Sequence, residues 1–96
     1  MREVVIVEGV RTPVGRKNGV LKDIRPDDLA GLTLKELINR AGINPAMIDD
    51  VILGCVTQSG EQAGDIARVA ALIAGFPIEV PGTTIDRQCG SSQQAV

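Results

Sequence analysis

The stretch Ile85-Asp-Arg-Gln-Cys-Gly-Ser-Ser-Gln-Gln-Ala95 places Cys89 between an apolar strand-like segment and a polar, helix-starting segment. We interpret it as the end of a strand, a tight turn and the first turn of a helix. The free N–H groups at a helix N-terminus carry partial positive charge, which favours the thiolate, the nucleophilic form of cysteine. Two interpretations stay open from these residues alone: Cys89 is a reactive thiol, or it is a small residue tolerated at a turn.

Upstream of this stretch, apolar runs alternate with amphipathic runs. The predicted strands cover residues 4–7 (continued through residue 10), 51–57 and 80–85. The predicted helices lie between them and bury apolar residues at helical spacing. The order is therefore β-α-β-α-β followed by a beginning helix, which predicts an α/β fold with a parallel sheet and right-handed crossovers.

Capping residues mark the predicted helix ends. Carboxylate and amide side chains serve as N-terminal caps, and glycines serve as C-terminal caps because they adopt left-handed backbone angles readily. In chain order these residues are Asp27 or Asp28, Gly42, Asn44 with the following Pro45, Asp65 and Gly75.

Composition limits the class of protein. The chain has 96 residues, 44% of them hydrophobic and 23% charged, which is typical of a globular protein. A net charge of −2 gives no reason to expect nucleic acid or an anionic membrane as a partner. No apolar run approaches the roughly 20 residues of a membrane span, and we expect no signal peptide before the first predicted strand. With two cysteines and no secretory context, we expect a reducing cytoplasm and no disulfide framework.

Three loops follow the C-terminal ends of the predicted strands, at residues 11–15, 58–64 and 87–92. Ligands and catalytic groups collect at this edge of parallel sheets, and Cys89 lies in the third loop. In the second loop, Gln58, Glu61 and Gln62 are predicted to be solvated, although that loop can face the nucleophile.

Two further residues carry explicit expectations. Cys55 lies in an apolar strand, and we expect it to be buried in the core and inert. Arg87 either adds positive potential near Cys89 or forms a structural ion pair, and the ion pair is the favoured alternative.

Several other chemistries lack their motifs. No glycine-rich dinucleotide fingerprint and no P-loop is present. The chain contains no histidine, and its two cysteines are far apart in sequence, so we expect no metal site.

Four ordered blocks resemble the N-terminal part of a thiolase, the family of acetyl-CoA acetyltransferases and 3-ketoacyl-CoA thiolases. The resemblance covers the whole chain. The blocks are Val5-Ile-Val-Glu-Gly-Val-Arg-Thr-Pro-Val-Gly15, Val51-Ile-Leu-Gly-Cys-Val-Thr-Gln58, Ala67-Arg-Val-Ala-Ala71 and Val80-Pro-Gly-Thr-Thr-Ile-Asp-Arg-Gln-Cys-Gly-Ser-Ser-Gln-Gln-Ala95. The family often has Asn at the position of Asp86 and Gly at that of Ser92. Asp86 opposes thiolate formation unless it pairs with Arg87.

The resemblance implies that Cys89 is the catalytic nucleophile of an acyltransferase. Coenzyme A thioesters are then the substrates, and no tightly bound cofactor is expected. In the family a histidine activates the nucleophile, a second cysteine handles the α-carbon proton and a separate loop region holds CoA. We expect all three beyond residue 96, and we expect this chain alone to be inactive.

The resemblance also implies an architecture. Residues 1–96 would form an incomplete N-terminal domain, most of the first half of a layered αβαβα fold, ending inside the helix after Cys89. Thiolases are usually homodimers or homotetramers. We therefore expect large apolar surfaces to be exposed on the helices and the last strand.

Two alternatives remain at this point. A ketoacyl synthase of the same superfamily shares the fold and a nucleophilic cysteine. A non-catalytic thiolase-like fragment, acting as a structural or interaction module, is compatible with the absence of histidine.

Overall fold

The computed structural model describes residues 1–96 and contains three α-helices, two strands and two short 3₁₀ turns. The helices are α1 (Pro26–Ala41), α2 (Ile66–Ile73) and α3 (Ser91–Ala95). The strands are β1 (Val51–Gly54) and β2 (Gly82–Ile85), and the 3₁₀ turns are Pro45–Met47 and Gly60–Gln62. The predicted alternation of helices and strands is confirmed from α1 to α3.

The two strands pair in parallel, with Val51 opposite Gly82 and Gly54 opposite Ile85. The connection between them runs through α2, which packs against both strands and against α1. This β-α-β unit confirms the predicted α/β class with a parallel sheet. The unit brings the C-terminal end of β1 beside the C-terminal end of β2, where the chain turns towards Cys89.

The predicted strand at residues 4–7 is wrong for this structure. The segment forms no strand, and no backbone hydrogen bond joins it to β1 or β2. Its side chains are exposed, at 94% for Val4 and 84% for Ile6. A run of β-branched residues indicates a tendency towards strand, but a strand forms only where ladder partners are available. The sheet therefore has two strands and not three.

The other two strands are shorter than predicted. β1 ends at Gly54, although the Cys55 N–H still donates to the Ile85 carbonyl at 2.9 Å. Beyond it the Gln58 N–H bonds back to Val56, which turns the chain away from the sheet. β2 begins at Gly82 because Val80 is held in a turn by the Pro77 carbonyl and Pro81 has no N–H to donate.

The glycine and asparagine caps lie where they were predicted. Gly42 ends α1 in the left-handed conformation, with φ 67°, and its N–H donates to the Ile38 carbonyl. The Asn44 side chain accepts from the Ala46 N–H and starts the Pro45–Met47 turn. After α2, Gly75 has φ 83°. These local signals were sufficient because each cap satisfies backbone groups within its own turn.

Asp65 caps α2 as predicted and also joins it to the sheet. Its carboxylate accepts from the Arg68 N–H at 3.4 Å and from the Thr84 hydroxyl at 2.7 Å. The Arg68 guanidinium donates to the Val80 carbonyl at 2.6 Å. These bonds attach the start of α2 to β2 and to the segment that precedes it.

Small residues let α2 lie close to its neighbours. Ala67, Ala70 and Ala71 are all 0% exposed. The core around them contains Val51, Ala67, Ala71, Phe76 and Val80. Because only one large aromatic ring is present, the interior depends on close approach of backbones more than on large side chains.

The predicted cap of α1 by Asp27 or Asp28 is wrong. Pro26 is the first helical residue and Arg25 precedes it without a side-chain cap. Asp27 instead accepts two hydrogen bonds from the Arg25 guanidinium, at 3.1 and 3.0 Å. Proline suits the first helical position because its φ is fixed there and its missing N–H has no helical partner. Arg25 also pairs with Glu61 at 3.0 Å, so it joins the start of α1 to the Gly60–Gln62 turn.

The Arg25–Asp27 pair predicts a pH dependence of stability. Hydrogen bonding to Arg25 holds the pKa of Asp27 below its ordinary value of 3.8. The stabilisation is therefore fully present above the unfolded pKa, near 4, and is lost as pH falls through the lower folded pKa. We expect Asp27→Asn to lower the Tm at pH 7 and to reduce the loss of stability below about pH 4. Thermal unfolding between pH 7 and 2 measures both effects.

Asp28→Asn is the matched control for this pH dependence. Asp28 is exposed and forms no ion pair. We expect its replacement to change the Tm less than Asp27→Asn does. An equal change in the two variants would contradict a specific role for the Arg25–Asp27 pair.

Large apolar side chains are exposed on the helices, as predicted. Leu32 on α1 is 61% exposed and Leu72 on α2 is 46% exposed. The same expectation is wrong for β2, where Ile85 is half-buried because α2 and α3 pack against that strand. No helix combines the length and apolar character needed to cross a membrane.

Candidate active site

Cys89 lies on an exposed bend between β2 and α3. β2 ends at Ile85, and α3 starts at Ser91 after Gly90. The backbone of Cys89 has φ 64°, a left-handed conformation that few residues other than glycine adopt. Its thiol is free and exposed. The structure thus has the strand, bend and helix start that the sequence predicted, with the thiol on the outside of the bend.

Ser91 ties the two ends of the bend together. Its hydroxyl accepts from the Arg87 N–H at 2.9 Å and donates to the Arg87 carbonyl at 2.8 Å. The Gly90 N–H donates to the same carbonyl at 2.8 Å. Ser91 is buried, with 8% of its surface exposed. The three bonds close the loop around Gln88 and Cys89.

Gly54, at the end of β1, provides the surface on which α3 begins. A Cβ at this position would come within 3.0 Å of backbone atoms of Ser91 and Ser92. Neither segment can move away easily, because Gly54 belongs to the parallel strand pair and the two serines belong to the start of α3. The missing side chain of Gly54 therefore sets how closely the Cys89 bend approaches the sheet.

Arg87 is not part of an ion pair, so the favoured alternative was wrong. Its guanidinium donates to the Gln94 side-chain oxygen at 2.7 Å, and no salt bridge joins it to Asp86. Arg87 binds Gln94 because the first turn of α3 brings the Gln94 side chain within reach of the guanidinium. Arg87, Cys89 and Gly90 line a cleft of about 530 Å³, which places a cationic side chain at the thiol's cleft.

Members of the three predicted loops line one cavity. Arg11 and Thr12 of the first loop, Gln62 of the second and Ser92 of the third border a space of about 480 Å³ beside α1 and β1. Cys89 does not line it. A smaller neighbouring cleft, of about 330 Å³, contains Cys89 together with Cys55 and Gly54. The loops thus collect at the expected edge of the sheet, but the thiol opens to adjacent space.

The prediction that Cys55 is buried core is wrong. Cys55 is half-buried, lies one residue past β1 and borders both spaces described above. Its sulfur accepts from the Gln62 side-chain amide at 3.5 Å. The apolar neighbours of Cys55 suggested a longer strand, and the early end of β1 moves it to the rim.

The prediction that Gln62 is solvated is also wrong. Its amide donates to the Thr57 carbonyl at 2.6 Å, and the residue is half-buried. Gln58 and Glu61 are exposed, as predicted. Gln62 therefore closes the second loop over the end of β1.

Sequence reasoning missed the roles of Gly54 and Ser91. Glycine inside an apolar strand is a known signal of close backbone approach, so Gly54 carried a usable cue. Ser91 carried a weaker cue, because serine at a helix start normally indicates a cap. Here the hydroxyl bonds backwards to Arg87, which depends on the shape of the bend.

Comparison with known proteins assigns this arrangement to a family. The sequence profile described as the N-terminal domain of thiolase matches residues 4–96. A steroid 3-ketoacyl-CoA thiolase of Mycobacterium tuberculosis is 54% identical over all of this chain, which covers 24% of the relative. A 3-oxoadipyl-CoA/3-oxo-5,6-dehydrosuberyl-CoA thiolase of Escherichia coli is 51% identical, again over all of this chain and 24% of the relative.

The fold has a close solved counterpart. The crystal structure of the Bacillus anthracis acetyl-CoA acetyltransferase matches with a TM-score of 0.86 and 47% identity, over 94% of this chain and 23% of that one. The chain spans about a quarter of the length of the curated relatives it matches.

Proposed function

Because the chain belongs to the thiolase family, we propose that Cys89 is the acyl-accepting nucleophile of an enzyme that transfers acyl groups to and from coenzyme A. The observation that carries the proposal is the position of Cys89: an exposed thiol on a strand-to-helix bend, bordering a cleft with Arg87. A nucleophile has to be accessible to its substrate and held in a defined orientation.

In the first half-reaction the Cys89 thiolate attacks the keto carbon of a 3-ketoacyl-CoA. A bond forms between sulfur and that carbon, and the bond between the keto carbon and the α-carbon breaks. The electron pair of the broken bond goes to the α-carbon, which takes up a proton and leaves as acetyl-CoA. The acyl group remains on Cys89 as a thioester.

In the second half-reaction the thiol of free CoA loses its proton and attacks the thioester carbonyl. The acyl group moves to CoA and the Cys89 thiolate is restored. Covalent catalysis of this kind divides one difficult step into two easier ones. The reverse direction condenses two acetyl-CoA molecules. The chain contains no histidine, so we assign the proton transfers to groups outside these 96 residues.

The substrate class is supported by the names of the relatives. One of the relatives described above is named for steroid 3-ketoacyl-CoA and the other for 3-oxoadipyl-CoA and 3-oxo-5,6-dehydrosuberyl-CoA. The solved counterpart is named for acetyl-CoA. We therefore propose CoA thioesters as the substrates of this site. The match to the thiolase family supports a thiolase over the alternative of a ketoacyl synthase.

The exposed apolar surface supports a further part of the proposal. Apolar side chains on α1 and α2 are uncovered in the chain alone, and uncovered surfaces of this kind are typical of interfaces. We propose that the full-length protein is a homodimer or homotetramer, which are the usual assemblies of the family. We also propose a reducing compartment such as the cytoplasm, because the exposed Cys89 has to stay a free thiol to act as the nucleophile.

Mass measurement of the full-length protein with acetoacetyl-CoA, in the absence of free CoA, tests the proposal. We expect an acetyl adduct on the peptide that contains Cys89, because the second half-reaction has no acceptor. The peptide that contains Cys55 is the internal control and should stay unmodified. Absence of an adduct on Cys89 would reject the proposal and favour a non-catalytic module.

A further inference from the structure

The conformation of Cys89 is held entirely by its neighbours. No hydrogen bond in the structure involves either the backbone or the side chain of Cys89, and the residue is exposed. Its left-handed φ of 64° is nevertheless unfavourable for a residue with a Cβ. Contacts on either side of the residue must therefore maintain this conformation.

Ser91 provides two of these contacts through one buried hydroxyl. The oxygen accepts from the Arg87 N–H and donates to the Arg87 carbonyl, so it bonds both polar groups of a single backbone residue. The carbonyl has a second donor in the Gly90 N–H. The Arg87 N–H has no other partner, and removing the hydroxyl leaves it unsatisfied.

The neighbouring serine lacks these contacts. Ser92 is exposed, and its hydroxyl forms no hydrogen bond in the structure. The two serines are adjacent at the start of α3, yet only Ser91 reaches back across the bend. Ser92 is therefore only part of the helix start, whereas Ser91 also holds the bend.

We propose that Ser91 is a positioning residue that holds Cys89 in its left-handed bend, so that the thiol meets the substrate carbonyl in a productive orientation. The inference rests on the proposed function, since it assigns the orientation of the proposed nucleophile. A displacement of about 1 Å in a reacting group can reduce a rate about 100-fold. Loss of the hydroxyl should therefore slow acyl transfer to Cys89 without weakening the binding of substrate.

The test measures adduct formation by acetoacetyl-CoA on Cys89 of the full-length protein in rapid-quench experiments. We expect Ser91→Ala to lower the rate constant at saturating substrate about 10- to 100-fold, with the half-saturating concentration changed by less than about 3-fold. Ser92→Ala is the matched control and should retain the original rate. Ser91→Thr keeps a hydroxyl and should recover most of the loss.

A small reagent separates positioning from damage to the fold. Alkylation by iodoacetamide needs no bound orientation, so we expect it to change by less than about 3-fold at both Cys89 and Cys55 in Ser91→Ala. A general loosening would instead raise alkylation of the half-buried Cys55. Hydrogen exchange of the Arg87 N–H should become faster in Ser91→Ala, because its acceptor is gone.

The outcomes distinguish this inference from the proposed function. If the unaltered protein forms no adduct on Cys89, the proposed function fails. If that adduct forms and Ser91→Ala matches it in rate, or if exchange at Arg87 is unchanged, the positioning role alone is rejected. If Ser91→Thr is slow and hydrogen exchange of its Arg87 N–H is also faster, the threonine hydroxyl does not reach Arg87. That result would still support the hydroxyl bonds to Arg87 as the cause of the fast rate.

Discussion

Replacing Cys89 with alanine is expected to reduce acyl transfer by about 10⁴-fold or more, since the covalent pathway loses its nucleophile. The fold should be little affected, because the thiol is exposed and makes no hydrogen bond. Turnover of acetoacetyl-CoA and CoA by the full-length protein measures the loss. A Tm close to that of the unaltered protein would show that the loss is chemical.

Cys55→Ser is the matched control for the nucleophile. Cys55 borders the same small cleft as Cys89, but its sulfur accepts a hydrogen bond from Gln62 and has no place in the proposed chemistry. We expect turnover within a few-fold of the original value. If Cys55→Ser loses as much activity as Cys89→Ala, the assignment of Cys89 as the sole acyl acceptor is wrong.

Gly54→Ala is expected to lower both stability and activity, even though it adds one methyl group at a residue without a catalytic role. The new Cβ would overlap backbone atoms of Ser91 and Ser92, so β1 and α3 must separate. Overpacking of this kind typically costs about 1–3 kcal/mol. The same separation displaces the Cys89 bend, for which we expect a loss of up to about 100-fold in turnover. Denaturant unfolding and steady-state kinetics measure the two effects.

Gly9→Ala is the control for adding a methyl group to glycine. No atom lies within 4 Å of the position a Cβ would take at Gly9, and its φ is not in the left-handed region. We expect stability and turnover close to those of the unaltered protein. Equal effects of Gly9→Ala and Gly54→Ala would contradict the close approach of α3 to β1.

Much of the fold was predictable because the relevant interactions are local. Gly42, Asn44 and Asp65 satisfy backbone groups within one turn, and their residue types alone indicate where helices begin and end. The alternation of apolar and amphipathic runs predicted a parallel pair, since a helix between two strands returns the chain to the same edge. The Cys89 bend was predictable for the same reason.

The failed predictions depended on which partners each residue meets in the folded chain, and residue type does not specify those partners. Residues 4–7 have the composition of a strand, but a strand also requires a ladder partner, and none pairs with them here. Asp27 is of a residue type that often caps helices, but its carboxylate binds the Arg25 guanidinium. Cys55 has apolar neighbours, but β1 ends before it.

By itself, the sequence determined the α/β class, the thiolase resemblance and the candidate nucleophile Cys89, because residue type and local order are enough for each. Only the tertiary structure decided how that thiol is held. The hydroxyl of Ser91 and the bare backbone of Gly54 act on the bend through contacts whose geometry depends on where β1, β2 and α3 lie relative to one another.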